Sequence, residues 1–89
     1  MSSQEIIAEK LTADLTAEAP ADTLYEVGLA YSNGVGVDRD YEAAHKWFNL
    51  AAAKGSEAAK TLRQDLATHM SRAEISRAQK AARNWLKRH

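Results

Sequence analysis

The sequence predicts an all-α protein, a short α-α superhelix (solenoid) of about five antiparallel helices. Three observations support this prediction. Hydrophobic residues make up 45% of the 89-residue chain, but 18 of them are alanine, which lets helices approach one another closely. Only three valines and three isoleucines occur, and no alternating apolar run is long enough for a strand. Apolar residues instead recur at helical spacing between turn residues.

The first predicted helix covers about residues 3–17. Ile7, Leu11 and Leu15 recur at four-residue spacing and form one narrow apolar stripe. Pro20 ends the segment, because proline disfavours helical backbone in the residue before it.

The next two helices form a hairpin. The second helix runs from about Asp22, its predicted N-cap, to Asn33, and Gly34 ends it as a left-handed C-terminal cap. The third helix begins near Asp40, with Asp38 or Asp40 as its N-cap, and continues to Lys54. Small residues are expected where the two helices cross, with Gly28 against Ala44.

The last two helices complete the chain. The fourth begins after Ser56 and carries an apolar face of Ala58 or Ala59 with Leu62, Leu66 and Met70. Ser71 and Glu74 have the spacing of a capping box and open the fifth helix. The apolar stripe of that helix consists of Ile75, Ala78, Ala82, Trp85 and Leu86.

The second and third helices also carry a recognisable motif. From residue 24 the chain reads L-x-x-V-G-x-x-Y-x-x-G-x-G-V-x-x-D-x-x-x-A-x-x-W-F-x-x-A-A-x-x-G. This pattern resembles the Sel-one-like repeat, a relative of the tetratricopeptide repeat. The positions that form the structural core of the repeat are Leu24, Gly28, Tyr31, Gly34, Gly36, Ala44, Trp47, Ala51, Ala52 and Gly55.

The resemblance divides the chain into three parts and implies a function. We expect a lead helix and linker over residues 1–19, one repeat over 20–55 and a degenerate capping hairpin over 56–89. Proteins of this family are adaptors that hold partner proteins together, often in bacterial signalling or membrane-linked quality control. The resemblance therefore implies a small non-catalytic adaptor or scaffold module.

Catalysis, cofactors and metal ions are not expected. The chain has no cysteine, and its three histidines are far apart without carboxylates at ligand spacing. His45 lies near Glu42 on the same helix, which we interpret as a solvated surface contact. Gly34 and Gly36 follow a helix without the lysine and hydroxyl residue of a phosphate loop.

The binding prediction concerns the concave face of the repeat, where the first helices of successive pairs line a surface in solenoids. The alternative is that the first helix covers Tyr25 and Leu29 through its own apolar stripe. The predicted partner-binding residues are Asp22, Tyr25, Leu29, Ser32, Asn33, Glu57, Lys60 and Gln64.

Charge is distributed asymmetrically. Residues 1–26 carry six acids and one base, whereas residues 71–89 carry six bases and one acid. These ends of charge −5 and +5 favour a second hypothesis, self-association as a dimer or head-to-tail oligomer. Nucleic-acid contact through the basic C-terminal helix is a minor alternative, because the pI of the whole chain is only about 6.8.

The expected location is the cytoplasm. The N-terminus lacks the basic start and apolar stretch of a signal peptide. No run approaches the roughly 18 apolar residues that a membrane span needs, so membrane insertion is not expected.

Overall fold

A computed structural model describes residues 18–88, and within this range the helices are joined by turns and loops, without strands. The all-α prediction is confirmed, with four helices in the described range. The first predicted helix, at residues 3–17, lies outside it. The four helices are α1 (Ala21–Asn33), α2 (Tyr41–Ala53), α3 (Glu57–Ala67) and α4 (Arg72–Arg88).

The helix starts follow local hydrogen bonding. The Asp40 carboxylate accepts from the Ala43 N–H at 3.0 Å, and Ser56 Oγ caps α3 in the same way. At α4 the predicted capping box is present: the Ser71 N–H donates to Glu74 Oε1 at 2.8 Å, and the Glu74 N–H donates to Ser71 Oγ at 3.1 Å.

The predicted N-cap of α1 is wrong. Pro20 holds that position, and its carbonyl oxygen accepts from the N–H groups of Thr23 and Leu24. Asp22 lies one position inside the helix, where its negative charge still favours the helix N-terminus. Proline is compatible with the position because its fixed φ suits the extended backbone found there.

The turn between α1 and α2 depends on Gly34. Its φ of 69° places it in the left-handed region that ends many helices. The Val35 N–H then donates to the Ala30 carbonyl, and the Asp40 N–H donates to the Tyr31 carbonyl at 3.0 Å. These bonds bring the start of α2 back beside the end of α1.

Helix α2 is the centre of the molecule, and each of the other three helices packs against it. Helix α4 runs parallel to α2, since Glu42 pairs with Arg77 and Trp47 contacts Trp85 further along. Helices α3 and α4 both pack mainly against α2 rather than against each other. The division of the chain at residues 20–55 and 56–89 stays a prediction.

The core between these helices is built from small and large apolar side chains together. Ala44 was the expected neighbour of Gly28, but the atoms nearest to a side chain there belong to Phe48: a Cβ on Gly28 would lie 2.5 Å from two ring carbons of Phe48. The buried apolar residues are Ala19, Leu24, Val27, Ala44, Trp47, Phe48, Leu50, Ala51, Ala59, Leu66, Ala78 and Ala82.

One predicted core position differs in the structure. Leu86 is 48% exposed, because α4 contacts α2 through the face that carries Ala78 and Ala82. Met70 lies after the end of α3 and packs against the core from the turn. Among the described helices, none is both long and apolar enough to cross a membrane.

Candidate functional site

A groove lies between the C-terminal end of α1, the N-terminal part of α2 and the C-terminal half of α3. We call it the α1–α3 groove, and it encloses about 300 Å³. Its lining residues are Ser32, Asn33, Arg39, Tyr41, Phe48, Leu62, Asp65, Leu66 and His69.

The floor of the groove is apolar. Phe48 and Leu66 are almost fully buried, and Leu62, one turn before Leu66, is half-buried. Phe48 can reach this position because Gly28 leaves room for its ring. Most of the surface that the groove exposes is polar, and its smaller apolar floor is held in place by the fold itself.

The rim of the groove is polar. Asn33, Arg39, Asp65 and His69 are exposed. Within residues 18–88, the side chains of these four residues have no recorded hydrogen-bond or ion-pair partner. Arg39 can therefore donate hydrogen bonds to a bound segment, and the Asp65 carboxylate can accept them.

Two of the five predicted binding residues of α1 line this groove. Ser32 and Asn33 line it directly. Tyr25 and Leu29 lie earlier on the same helix and are half-buried against the core, with the Tyr25 ring 6.1 Å from that of Phe48. Asp22 is exposed at the other end of α1.

The predicted binding residues of α3 do not line the groove. Glu57, Lys60 and Gln64 are exposed on that helix. Its lining residues recur instead at positions 62, 65, 66 and 69, a spacing that marks one helix face and could have been found in the sequence. Sequence reasoning assigned Leu62 and Leu66 only to the core, although a groove floor is also part of a core.

The remaining predicted core positions of the repeat either pack against the core or lie in turns. Tyr31 and Ala52 are half-buried against the core. Gly36 and Gly55 have positive φ of 77° and 105°, so these turn positions favour glycine.

His45 differs from the expectation of a solvated residue. It is only 3% exposed, and its Nδ1 has no hydrogen-bond partner among the described residues. Glu42 pairs instead with Arg77, at 2.6 Å. The surface-contact interpretation is therefore wrong, because α3 covers the face of α2 on which His45 lies.

The surroundings of His45 keep it neutral. Burial lowers the pKa of its imidazole, and the positive charge of Arg63 lowers it further. Arg63 itself donates to Asn49 Oδ1 at 2.6 Å. Within residues 18–88 no group of three or more histidine, aspartate or glutamate residues is placed to hold a metal ion.

The hairpin of α1 and α2, closed by the left-handed turn at Gly34, has the form of a helical-hairpin repeat. Residues 21–56 match the family model of the Sel1 repeat, so the resemblance found in the sequence is confirmed for this part of the chain. Sel1 repeats are generally non-catalytic helical modules of protein–protein interaction. Searches of curated proteins and of solved structures gave no match to the chain.

Proposed function

We propose that the protein is a small non-catalytic adaptor of the cytoplasm, and that its α1–α3 groove binds a short segment of a partner protein. The observation that supports this most directly is the combination of an apolar floor with a polar rim whose exposed side chains have no partner among residues 18–88. Binding pockets typically combine apolar walls with a few polar groups that orient the ligand. The match of residues 21–56 to the Sel1 repeat also supports protein binding, because this repeat is a type of protein–protein interaction module.

The size and chemistry of the groove define the occupant. A volume of about 300 Å³ accommodates one or two large side chains rather than a long extended chain. One aliphatic or aromatic anchor would cover Phe48 and Leu62. Polar groups beside that anchor would pair with Arg39 and Asp65 at the rim.

Partner capture with matched variants tests the proposal. Asp65→Lys combined with His69→Glu changes the rim at two exposed positions and should leave the fold intact, as checked by circular dichroism. Crosslinking capture and mass spectrometry should then recover the wild-type partners at about tenfold lower yield, since each lost rim contact costs about 0.5–1.5 kcal/mol.

Gln79→Lys on α4 is the matched control, because it changes the charge at an exposed position outside the groove. The control should recover the same partners as the wild type. Equal recovery by the groove variant and the control would exclude the groove as the binding site.

The binding face extends, in this proposal, along α1 to Tyr25 and Leu29 and across α3 to Lys60 and Gln64. Tyr25→Ala and Leu29→Ala separate binding from packing. Reduced partner recovery at unchanged melting temperature would assign these side chains to the binding face. Loss of stability without change in recovered partners would assign them to the core.

Self-association is a second candidate function, and it is favoured by the charges of α4. Arg77 is paired with Glu42. In the described part of the chain, no partner is recorded for five further bases of α4: Arg72, Lys80, Arg83, Lys87 and Arg88.

Light scattering at low and high salt tests self-association. A mass that falls towards the monomer as salt rises is expected, and a monomer mass at every salt concentration would exclude it.

A further inference from the structure

A second cleft lies between α2 and α4. It encloses about 290 Å³ and shares no lining residue with the α1–α3 groove. Its lining residues are Lys46, Ala81, Asn84, Trp85 and Arg88.

Lys46 is the partly buried cation of this cleft. Its Nζ lies 4.4 Å from the centroid of the Trp47 ring, so a cation–π contact holds the ammonium in place. Burial lowers the pKa of Lys46, because the ammonium has lost part of its hydration. Within the described residues, no carboxylate lines the cleft to compensate for that loss.

Trp85 forms an apolar wall of the cleft. Its ring meets that of Trp47 edge to face, with centroids 5.4 Å apart and an interplanar angle of 75°. This contact holds the half-buried indole in a defined orientation. Ala81, one turn earlier on α4, leaves the space beside the indole open.

Arg88 adds a second positive charge at the end of α4. It is exposed, and no hydrogen bond or ion pair is recorded for it within residues 18–88. The acids of this region are engaged elsewhere, since Glu42 pairs with Arg77 and Glu74 caps α4 through Ser71. Among residues 18–88, two cations and an amide therefore line this cleft and no carboxylate does.

We propose that this cleft binds the carboxylate of an acidic segment of a partner protein, with an adjacent apolar side chain of that segment packed against Trp85. The carboxylate would lie between the Lys46 ammonium and the Arg88 guanidinium. Asn84 would donate a further hydrogen bond from its amide. The protein would then contact partners through two separate surfaces, as an adaptor requires.

A peptide is favoured over a nucleic acid by the arrangement of the charges. Of the basic side chains in residues 18–88, only those of Lys46 and Arg88 line the cleft, whereas those of Arg72, Lys80 and Arg83 do not. A phosphate backbone is usually bound by a continuous positive stripe. An open cleft with two cations and one aromatic wall suits a single carboxylate next to an apolar group.

Titration with a blocked peptide that contains Leu-Glu-Glu-Leu tests the proposal on the full chain. The indole N–H signals of Trp47 and Trp85 are followed by NMR and assigned with Trp85→Phe. The acidic peptide should shift the Trp85 signal, and the matched peptide with Gln in place of Glu should bind at least tenfold more weakly. Because charge-assisted contacts are strong, Lys46→Gln and Arg88→Gln should each weaken binding about tenfold.

Lys80→Gln is the control, since it removes an exposed charge of α4 outside the cleft and should leave peptide affinity within about twofold. If Lys46→Gln lowers the melting temperature, the peptide affinity of Arg88→Gln decides the test instead. No Trp85 shift with the acidic peptide, or equal affinity for the two peptides, would overturn the proposal. So would tighter binding of a single-stranded oligonucleotide that weakens equally with Lys46→Gln and Lys80→Gln. Groove variants such as Asp65→Lys should leave this titration unchanged.

Discussion

At the scale of single residues, the contact between Gly28 and Phe48 connects the fold to the groove. The ring of Phe48 occupies the space in which a side chain at position 28 would lie. The same ring forms part of the groove floor and lies near Tyr25. A change at Gly28 should therefore affect both stability and the shape of the proposed binding site.

Gly28→Ala should destabilise the protein by about 1–3 kcal/mol, because a new methyl group would overlap ring carbons of Phe48. Urea denaturation measures the loss. Phe48→Leu in the same chain provides space, so the double variant should lose less than the sum of the two single variants. Additive losses would show that the overlap is relieved elsewhere in the core.

Because His45 is buried, we expect the free energy of unfolding to depend on pH. Its pKa is lowered in the folded state, so the unfolded chain binds a proton at a higher pH than the folded protein does. The folded state should therefore lose stability as pH falls below the unfolded value of about 6.5, and the loss should end below the folded pKa. Above pH 7 His45 should contribute no pH dependence.

Denaturant midpoints between pH 8 and pH 5 measure this effect. His45→Leu should remove most of the loss, since the leucine side chain takes no proton beside Arg63. The control is His69→Gln, which changes an exposed histidine at the groove rim and should retain the wild-type slope. Identical slopes in the wild type and His45→Leu would contradict the prediction.

At the scale of elements, local hydrogen bonds determine where the helices begin. Asp40, Ser56 and Ser71 each accept from the N–H group three residues later. The hydrogen bonds between Ser71 and Glu74 also lower the pKa of the Glu74 carboxyl. These starts depend on neighbouring residues alone, which explains why they could be predicted from the sequence.

Asp40→Ala should destabilise the protein by about 1 kcal/mol, because the Ala43 N–H would lose its cap at the start of α2. Asp38→Ala is the matched control: Asp38 is exposed in the same turn and caps no helix, so its loss should stay within about 0.5 kcal/mol. Thermal melting followed by circular dichroism compares the two variants. Equal shifts would mean that the charge of the turn, and not the cap, provides the stabilisation.

At the scale of the whole molecule, stability depends on the contacts of α2. Trp47 is 5% exposed on this helix and contacts Trp85 of α4. A chain of this size has a thin core, so one large side chain supplies a substantial part of its stability. The ion pair between Glu42 and Arg77 joins the same helices but is largely exposed, and exposed pairs contribute little.

Trp47→Ala should therefore cost about 3–5 kcal/mol, the usual loss for a large core truncation. Because small domains are stable by only about 5–15 kcal/mol, a large unfolded fraction is expected. Trp85→Ala should cost less, about 1–2 kcal/mol, since its ring is half-buried. Urea titration followed by circular dichroism measures the loss of stability in each variant. A larger loss for Trp85→Ala than for Trp47→Ala would contradict the expectation that the more buried ring contributes more.

The sequence by itself determined the helical class, the α1–α2 repeat, three of the helix starts and the left-handed turn at Gly34. Each of these depends on residues within a few positions of one another, through periodicity, caps or backbone freedom. The tertiary structure alone decided that Gly28 meets Phe48, that His45 is buried under α3 and that Leu86 is exposed. It also decided that Leu62, Asp65 and His69, rather than Glu57, Lys60 and Gln64, line the groove. These features depend on how each helix is rotated against α2, and periodicity identifies an apolar face without specifying which neighbour will cover it.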